Sequence, residues 1–426
     1  MNNFKIFTFN NGFKYLTSKN TGVKHCILLI LLGTGSVCET EKLAGISHFL
    51  EHMPFKGTKK YRTAAKLSFS CDSLGSETNA FTDREMTGYY IKLSKNASLK
   101  GLDILADIVL NPRLLEKDIQ QERGVILEEY DKGLDEQDNI VDEMVHGTLF
   151  RGHPLANSII GTRKTINNIS GDDLREYYKK HYLPSNMNLI VIGNYPNKIH
   201  DNIKNLFNIP CPIAYQRLEQ SNVIYNTSKR IVFKENKDLE QTCISIVFPT
   251  VDYNNTDKYI LDLIGTCLGD GMSARLFIEL REKHSLVYNI SADQDSYHRG
   301  GYFEISTCLK HYNIEKTIRL VLAEINKIQK YGIAKKELNK CKNYIKGNIV
   351  ISSEDLSDIA EFYAYQLIYA DKVINYNTYF KHINKITTKD VIRVVKKYLD
   401  TSKASVFIYG KIGRKQMSNI GKMLTK

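Results

Sequence analysis

The chain has no tryptophan, no Cys-x-x-Cys pair and no apolar run long enough to cross a bilayer. Each absence removes a class of function. The longest apolar run near the start, residues 26–32, falls far short of the ~20 residues of a spanning helix, so no membrane span is expected. The eight cysteines, at 26, 38, 71, 211, 243, 267, 308 and 341, show no framework spacing. They read as free thiols in a reducing compartment. The start, Met1-Asn2-Asn3-Phe4-Lys5, lacks a hydrophobic signal core and leaves no room for a transit peptide before the first strand. An intracellular, cytoplasmic protein is the expectation. The net charge of +12 raises the question of nucleic acid. The lysines are scattered, however, and no recognised motif accompanies them, so no nucleic-acid partner is expected. A Lys-, Asn-, Ile- and Tyr-rich chain without Trp points to coding bias rather than to a partner, although its charge favours acidic substrates through steering. Gly269-Asp270-Gly271 lacks the Gly-Lys-Ser/Thr ending of a phosphate loop. What remains is an ordinary globular composition, 42% hydrophobic and 25% charged, in 426 residues, enough for two or more domains.

The chain does contain His48-Phe49-Leu50-Glu51-His52. On a helix, His48 and His52 project from one face a turn apart and can share a metal ion, and Glu51 lies on the same face. A carboxylate there can hold and deprotonate a metal-bound water. The order is that of the inverzincins. Two histidines leave zinc short of ligands, and His-His-Glu plus water is an accepted catalytic set. The third ligand is sought on a helix over 115–130. At ~100° per residue, Leu115, Ile119, Ile126 and Tyr130 form an apolar stripe that also carries Glu122 and Glu129, while Glu128 points away with Gln121. A carboxylate on a buried stripe needs a partner or a metal. Glu129 is therefore the expected ligand, Glu122 a second acid within the catalytic set, and Glu128 a solvated residue. Pro54 lacks an N–H and clashes with the carbonyl of Leu50, so the histidine helix is expected to end near His52.

These residues resemble the pitrilysin/insulinase zinc peptidase family, in the branch whose subunits are about this chain's length and which includes the mitochondrial processing peptidase and its bacterial relatives. The match runs through 45–58, 74–85, 105–108, 122–129, His153-Pro154-Leu155 with Ile160-Gly161, 269–277, and Arg281-Glu282-Lys283 to Tyr288. The resemblance implies zinc, one ion per chain, on His48, His52 and Glu129, with Glu51 as base. It implies an edge strand at 75–80 that binds an extended peptide, with Asn79 and Ala80 as candidates. It implies a substrate-clamping pair, Arg281 and Tyr288, that stabilises the oxyanion. Their bland alternatives are a helix-end Arg and a core Tyr. Glu85 is a candidate for orienting a ligand histidine, or else a surface ion-pair member.

In chain order, strands are expected at 4–9 and 14–18 around Asn10-Asn11-Gly12, and at 25–32, 87–93 and 189–193. Helices are expected at 63–74, 99–110 and 199–207. A linker is placed at 213–228, between a zinc-binding domain at 1–212 and a related domain at 229–426. The second half repeats the order strand, helix, short break, helix, without His-x-x-Glu-His. The fold class is α+β: two related domains, each a mixed sheet covered by helices. The function expected is zinc-dependent endoproteolysis of unfolded peptides or presequence-like segments. Its alternative is a non-catalytic or regulatory subunit of a heterodimeric processing peptidase. A homodimer is expected in which Arg281 and Tyr288 of one subunit complete the zinc site of the other; the alternative is a heterodimer with a related subunit.

Overall fold

The structure, a computed structural model, describes residues 4–211, 214–215, 222–227, 230–370 and 372–424. It divides into two compact units, each built on one sheet. Among the described residues, no helix is long and apolar enough to cross a membrane.

The first sheet contains β1 (Lys5–Thr8), β2 (Lys14–Lys19), β3 (His25–Leu32), β4 (Glu77–Thr82), β5 (Thr87–Ser94) and β6 (Met187–Gly193), in the order β1-β2-β6-β3-β5-β4. Only β2 and β6 run parallel. The β1–β2 turn uses Gly12 at φ +85°, and Asn11 Nδ2 donates to the Phe207 carbonyl (2.7 Å). Beyond its first residue, β3 is buried throughout. Cys26, Leu28 and Ile30 join the core formed with helices Ile46–His52, Ser98–Leu110 and Gly171–His181. On the other face, Ile27 and Leu29 lie with Ala360 and Ala364 of helix Leu356–Tyr369 around one cavity. Truncating a buried leucine such as Leu28 to Ala costs about 2–5 kcal/mol. A sheet walled on both sides holds its edges in fixed positions.

The second sheet contains β7 (Ile231–Glu235), β8 (Thr242–Pro249), β9 (Ser291–Ser296), β10 (Gly301–Leu309) and β11 (Ser405–Gly410), in the order β7-β11-β8-β10-β9. One face, with Ile244, Ile246, Phe303 and Ile305, packs on helices Lys258–Leu268, Ile314–Tyr331 and Thr388–Tyr398. The opposite face meets helix Gln137–Leu149.

Apart from β1, the two sheets have the same plan. Each takes its strands in chain order first-fifth-second-fourth-third, and each has one parallel pair followed by three antiparallel ones. The duplication seen faintly in the sequence is thus a duplication of topology. The units are not the two sequence halves in full. Residues 133–156 cluster with the second sheet and 352–376 with the first. Each sheet therefore has its second face covered by a helix from the other half of the chain. Part of the linker expected at 213–228 lies outside the described residues.

The reading of all cysteines as free thiols is corrected at two positions. Cys243 and Cys308 form a disulfide. They stand directly opposite each other on β8 and β10, 65 residues apart, a pairing set by strand register and not by spacing. Cys26, Cys71, Cys267 and Cys341 are free.

Candidate metal centre

The histidine helix, Ile46–His52, begins at Gly45, whose φ of +93° is left-handed. A β-carbon there would collide with the Ile160 carbonyl, and one on Gly161 (φ +81°) with that of Ala44. The two backbones cross too closely for any side chain. Glu39 accepts the N–H groups of Gly45 (2.7 Å) and Ser47 (2.8 Å), which have no partner inside the short helix. Burial pushes the Glu39 carboxyl up to about 8, although both donors favour its charged form. As expected from Pro54, the helix stops at His52, and Met53–Lys56 continues as a 3-10 turn with Pro54 in its first turn.

His48 and His52 stack edge-on, with ring centres 4.8 Å apart. Glu129 comes from helix Glu116–Gly133 and reaches both rings. Its Oε1 lies 3.6 Å from His48 Nε2 and its Oε2 3.5 Å from His52 Nε2. One ligand atom from each of the three residues falls within 4.8 Å of the others. Around tetrahedral zinc with ligands at about 2.0–2.1 Å, neighbouring ligand atoms stand roughly 3.3 Å apart. The two Glu129–histidine distances lie close to that spacing, so the three side chains could hold one zinc ion.

The helix phase expected for Glu129 and Glu128 holds, but the burial expected for Glu129 does not. Its side chain is 48% exposed, against 4% for Glu122. Glu129 stands at the open mouth of the site, where water still reaches it, so its charge avoids the cost of burial. Glu128 is exposed, as expected. Glu122 points inward, with Oε1 3.0 Å from His52 Nδ1, and it also pairs with Lys56. Burial by itself would raise the Glu122 carboxyl, but His52 and Lys56 outweigh it and hold it low. The hydrogen bond to His48 holds the Glu129 carboxyl low against its own partial burial. Burial opposes charge on His52, yet Glu122, Glu51 and Glu129 together raise its pKa.

Glu51 is buried on the same helix, and Thr82 Oγ1 donates to its Oε2 (2.7 Å). Thr82 ends β4, the edge strand of the sheet, which also carries Asn79 and Ala80. The Ala80 N–H is taken by Asn79 Oδ1 (2.9 Å). Glu85 is buried just beyond that strand. Glu122 is hydrogen-bonded to the ligand candidate His52 through Nδ1. Sequence reasoning missed Glu39, Lys56 and Thr82. Thr82 was within reach of it, since strand alternation places Thr78, Ala80 and Thr82 on one face.

Arg281 and Tyr288 belong to the second unit. Arg281 lies in the last turn of the π-helical segment Phe277–Glu282, and its guanidinium lies 4.7 Å from the Phe277 ring centre and 5.0 Å from that of Tyr288. Tyr288 is 80% exposed and so is not a core tyrosine. The structure brings these two side chains together and presents them to solvent.

The family model described as insulinase (peptidase family M16) matches residues 14–163, and that described as peptidase M16 inactive domain matches 168–345. A protein of Rickettsia bellii named as an uncharacterized zinc protease is 31% identical over 413 residues, covering 95% of this chain and 97% of that one. The chain belongs to the insulinase (M16) peptidase family. Another relative is named as the probable beta subunit of the mitochondrial-processing peptidase of Arabidopsis thaliana. It is 26% identical and aligns over 96% of this M16 chain and 78% of its own length. Among solved structures, a protease from Helicobacter pylori superposes with a TM-score of 0.89 at 21% identity, covering 96% of this chain and all of that one. A Pseudomonas fluorescens protein described as a peptidase M16 inactive domain superposes at 0.88 and 18%. These two likenesses confirm the two-domain M16 fold.

Proposed function

We propose that this M16 family member is a zinc-dependent endopeptidase acting on unfolded peptides or presequence-like segments. The observation that carries the reading is the set of His48, His52 and Glu129, spaced for one tetrahedral ion, with Glu51 beside it on the same helix. Zinc held there supplies Lewis acidity and an acidified water. The protein's own groups do the rest. Thr82 fixes one oxygen of Glu51, leaving the other to accept a proton from the attacking water and return it to the leaving amine. Glu122 holds His52 by Nδ1 and leaves Nε2 toward the ion. The outer edge of β4 offers backbone groups to an extended substrate, which gives affinity with loose sequence preference. Tyr288 and Arg281 supply a hydrogen-bond donor and a positive charge for the developing oxyanion.

The active assembly in this proposal is a homodimer. Arg281 and Tyr288 of one subunit complete the zinc site of the other, and the enclosed chamber admits unfolded peptides only. A twofold pair is the commonest soluble assembly. The relative named as a processing-peptidase beta subunit keeps a second reading in play, a heterodimer with a related subunit.

Peptide-library cleavage read by mass spectrometry, with and without chelator, tests the activity. Internal cleavage that chelator abolishes and zinc restores is the expected result. Equal cleavage by the metal-free protein would overturn it. Mixing Glu51→Gln chains with Tyr288→Phe chains tests the dimer. Partial recovery is expected, and its absence despite demonstrated subunit exchange would exclude a site completed in trans.

A further inference from the structure

The face of the second sheet that turns away from its main core carries Cys243 and Cys308, opposed on β8 and β10. The first turn of helix Gln137–Leu149 stands over them. Gln137 Oε1 lies 2.8 Å from Cys243 Sγ. At that distance the amide oxygen is in direct contact with the sulfur and faces it. One oxygen of Asp138 and the two sulfurs all fall within 4.8 Å of one another. Cys243 is buried, Cys308 is half-buried and Asp138 is exposed, so an ion entering from solvent reaches all three. The group lines a cavity of about 390 Å³ that also has Asp142 and Glu304 on its walls. Soft sulfur donors with carboxylate and carbonyl oxygens make up a donor set for a thiophilic divalent ion.

We propose that Cys243, Cys308 and Asp138, with Gln137 beside them, form a second metal site for a zinc-class divalent ion when the two cysteines are in the dithiol state. Opening the disulfide takes a dithiol reductant. Two electrons pass from the reductant to the S–S bond, the reductant closes to its own cyclic disulfide, and two Cys–SH groups form. The ion then replaces both thiol protons, which are released to solvent. Two thiolates on tetrahedral zinc stand roughly 3.7 Å apart, given Zn–S of about 2.3 Å. The two opposed cysteines meet that spacing by side-chain rotation, because their α-carbons are only 4.0 Å apart. The cysteines thus offer a bond to each other or a bond to a metal, and never both.

The full chain, stripped of metal, is reduced with a dithiol, freed of reductant under anaerobic conditions and titrated with Co²⁺. The expected result is a thiolate-to-cobalt charge-transfer absorption and two metal ions per chain. The same chain oxidised to the disulfide should show one ion and no such absorption. Cys308→Ser should lose the absorption although Cys267, Cys341 and the other free thiols remain, and Asp138→Asn should weaken it. His52→Ala should keep the absorption and one ion, which separates this site from the histidine centre. The oxidised chain serves as a control that needs no variant to fold. No charge-transfer absorption in a chain whose thiols titrate as free would overturn the proposal. So would an absorption of equal strength in Cys308→Ser.

Discussion

His52 Nδ1 lies 3.0 Å from Glu122 Oε1, and that contact decides which nitrogen of the ring is left for a metal. Glu122 is itself tied to Lys56, so the histidine is held by a buried ion pair and not by a lone acid. Replacing Glu122 by Gln leaves the ligands in place but loosens one of them. Zinc affinity should fall about 10- to 100-fold, the usual cost of losing a group that orients a ligand. Chelator competition measures this, and unchanged affinity would mean that the ring is fixed by packing alone.

Glu51 touches Thr82 and, unlike Glu122, binds no ligand histidine in the contacts seen. Glu51→Gln should therefore keep one zinc per chain and lower kcat by roughly 10²- to 10⁴-fold, the range of general acid–base catalysis. His52→Ala should lose both metal and turnover. Metal analysis beside steady-state kinetics separates the two outcomes.

The adjacent acids Glu128 and Glu129 provide a test within one pair. Glu129 spans the two histidine rings, whereas Glu128 lies in solvent on the far side of its helix. Glu129→Gln should sharply reduce bound zinc at equal protein concentration, and Glu128→Gln should be nearly silent. The reverse result would show that the helix is turned by one residue.

The second unit carries a pH dependence of its own. Burial pushes the Asp262 carboxyl up to about 7, only partly offset by Lys258 and by the Tyr379 hydroxyl, which donates to it at 3.2 Å. Because the folded pKa lies above the unfolded one, the folded state binds the extra proton. Its contribution is fully present below the unfolded value and is lost as pH rises through about 7. Asp262→Asn removes this term. Relative to wild type, the variant should therefore gain stability between pH 5 and pH 8, on the order of a few kcal/mol. Denaturant unfolding of both proteins at the two pH values reads the difference, and a constant offset would contradict the assignment.

The parts of the fold and site that were legible in the sequence are those in which one short segment carries its own signal. His48, Glu51 and His52 need only helical spacing, Pro54 ends its helix by local sterics, and Ile199–Phe207 appears where its periodicity placed it. Glu129 was legible by phase but not by exposure, since exposure depends on what stands over the helix. The role of Glu122 was seen only as an acid near the site, because its partners lie 70 residues back at His52 and nearby at Lys56. β9 was missed for a different reason. Ser291–Ser296 is an edge strand with Ala292 as its one buried apolar residue, so it carries no alternating pattern to read. The Cys243–Cys308 pair depends on β8–β10 register, which no spacing rule contains.

The exchanged helices make the molecule hard to divide. The chain passes from one compact unit to the other after residues 132, 156, 220, 351 and 376. A gene cut between the two sheets, anywhere from 213 to 229, would give one fragment holding Gln137–Leu149 without its sheet and another holding Leu356–Tyr369 without its own. Each fragment would expose the apolar wall that its missing helix covers, Ile27 and Leu29 on the first sheet among others. Such pieces should be insoluble when made singly and soluble when made together, as two strands of a splice hold only when both are present. Two sheets of one plan thus make one object that cannot be cut back into its halves.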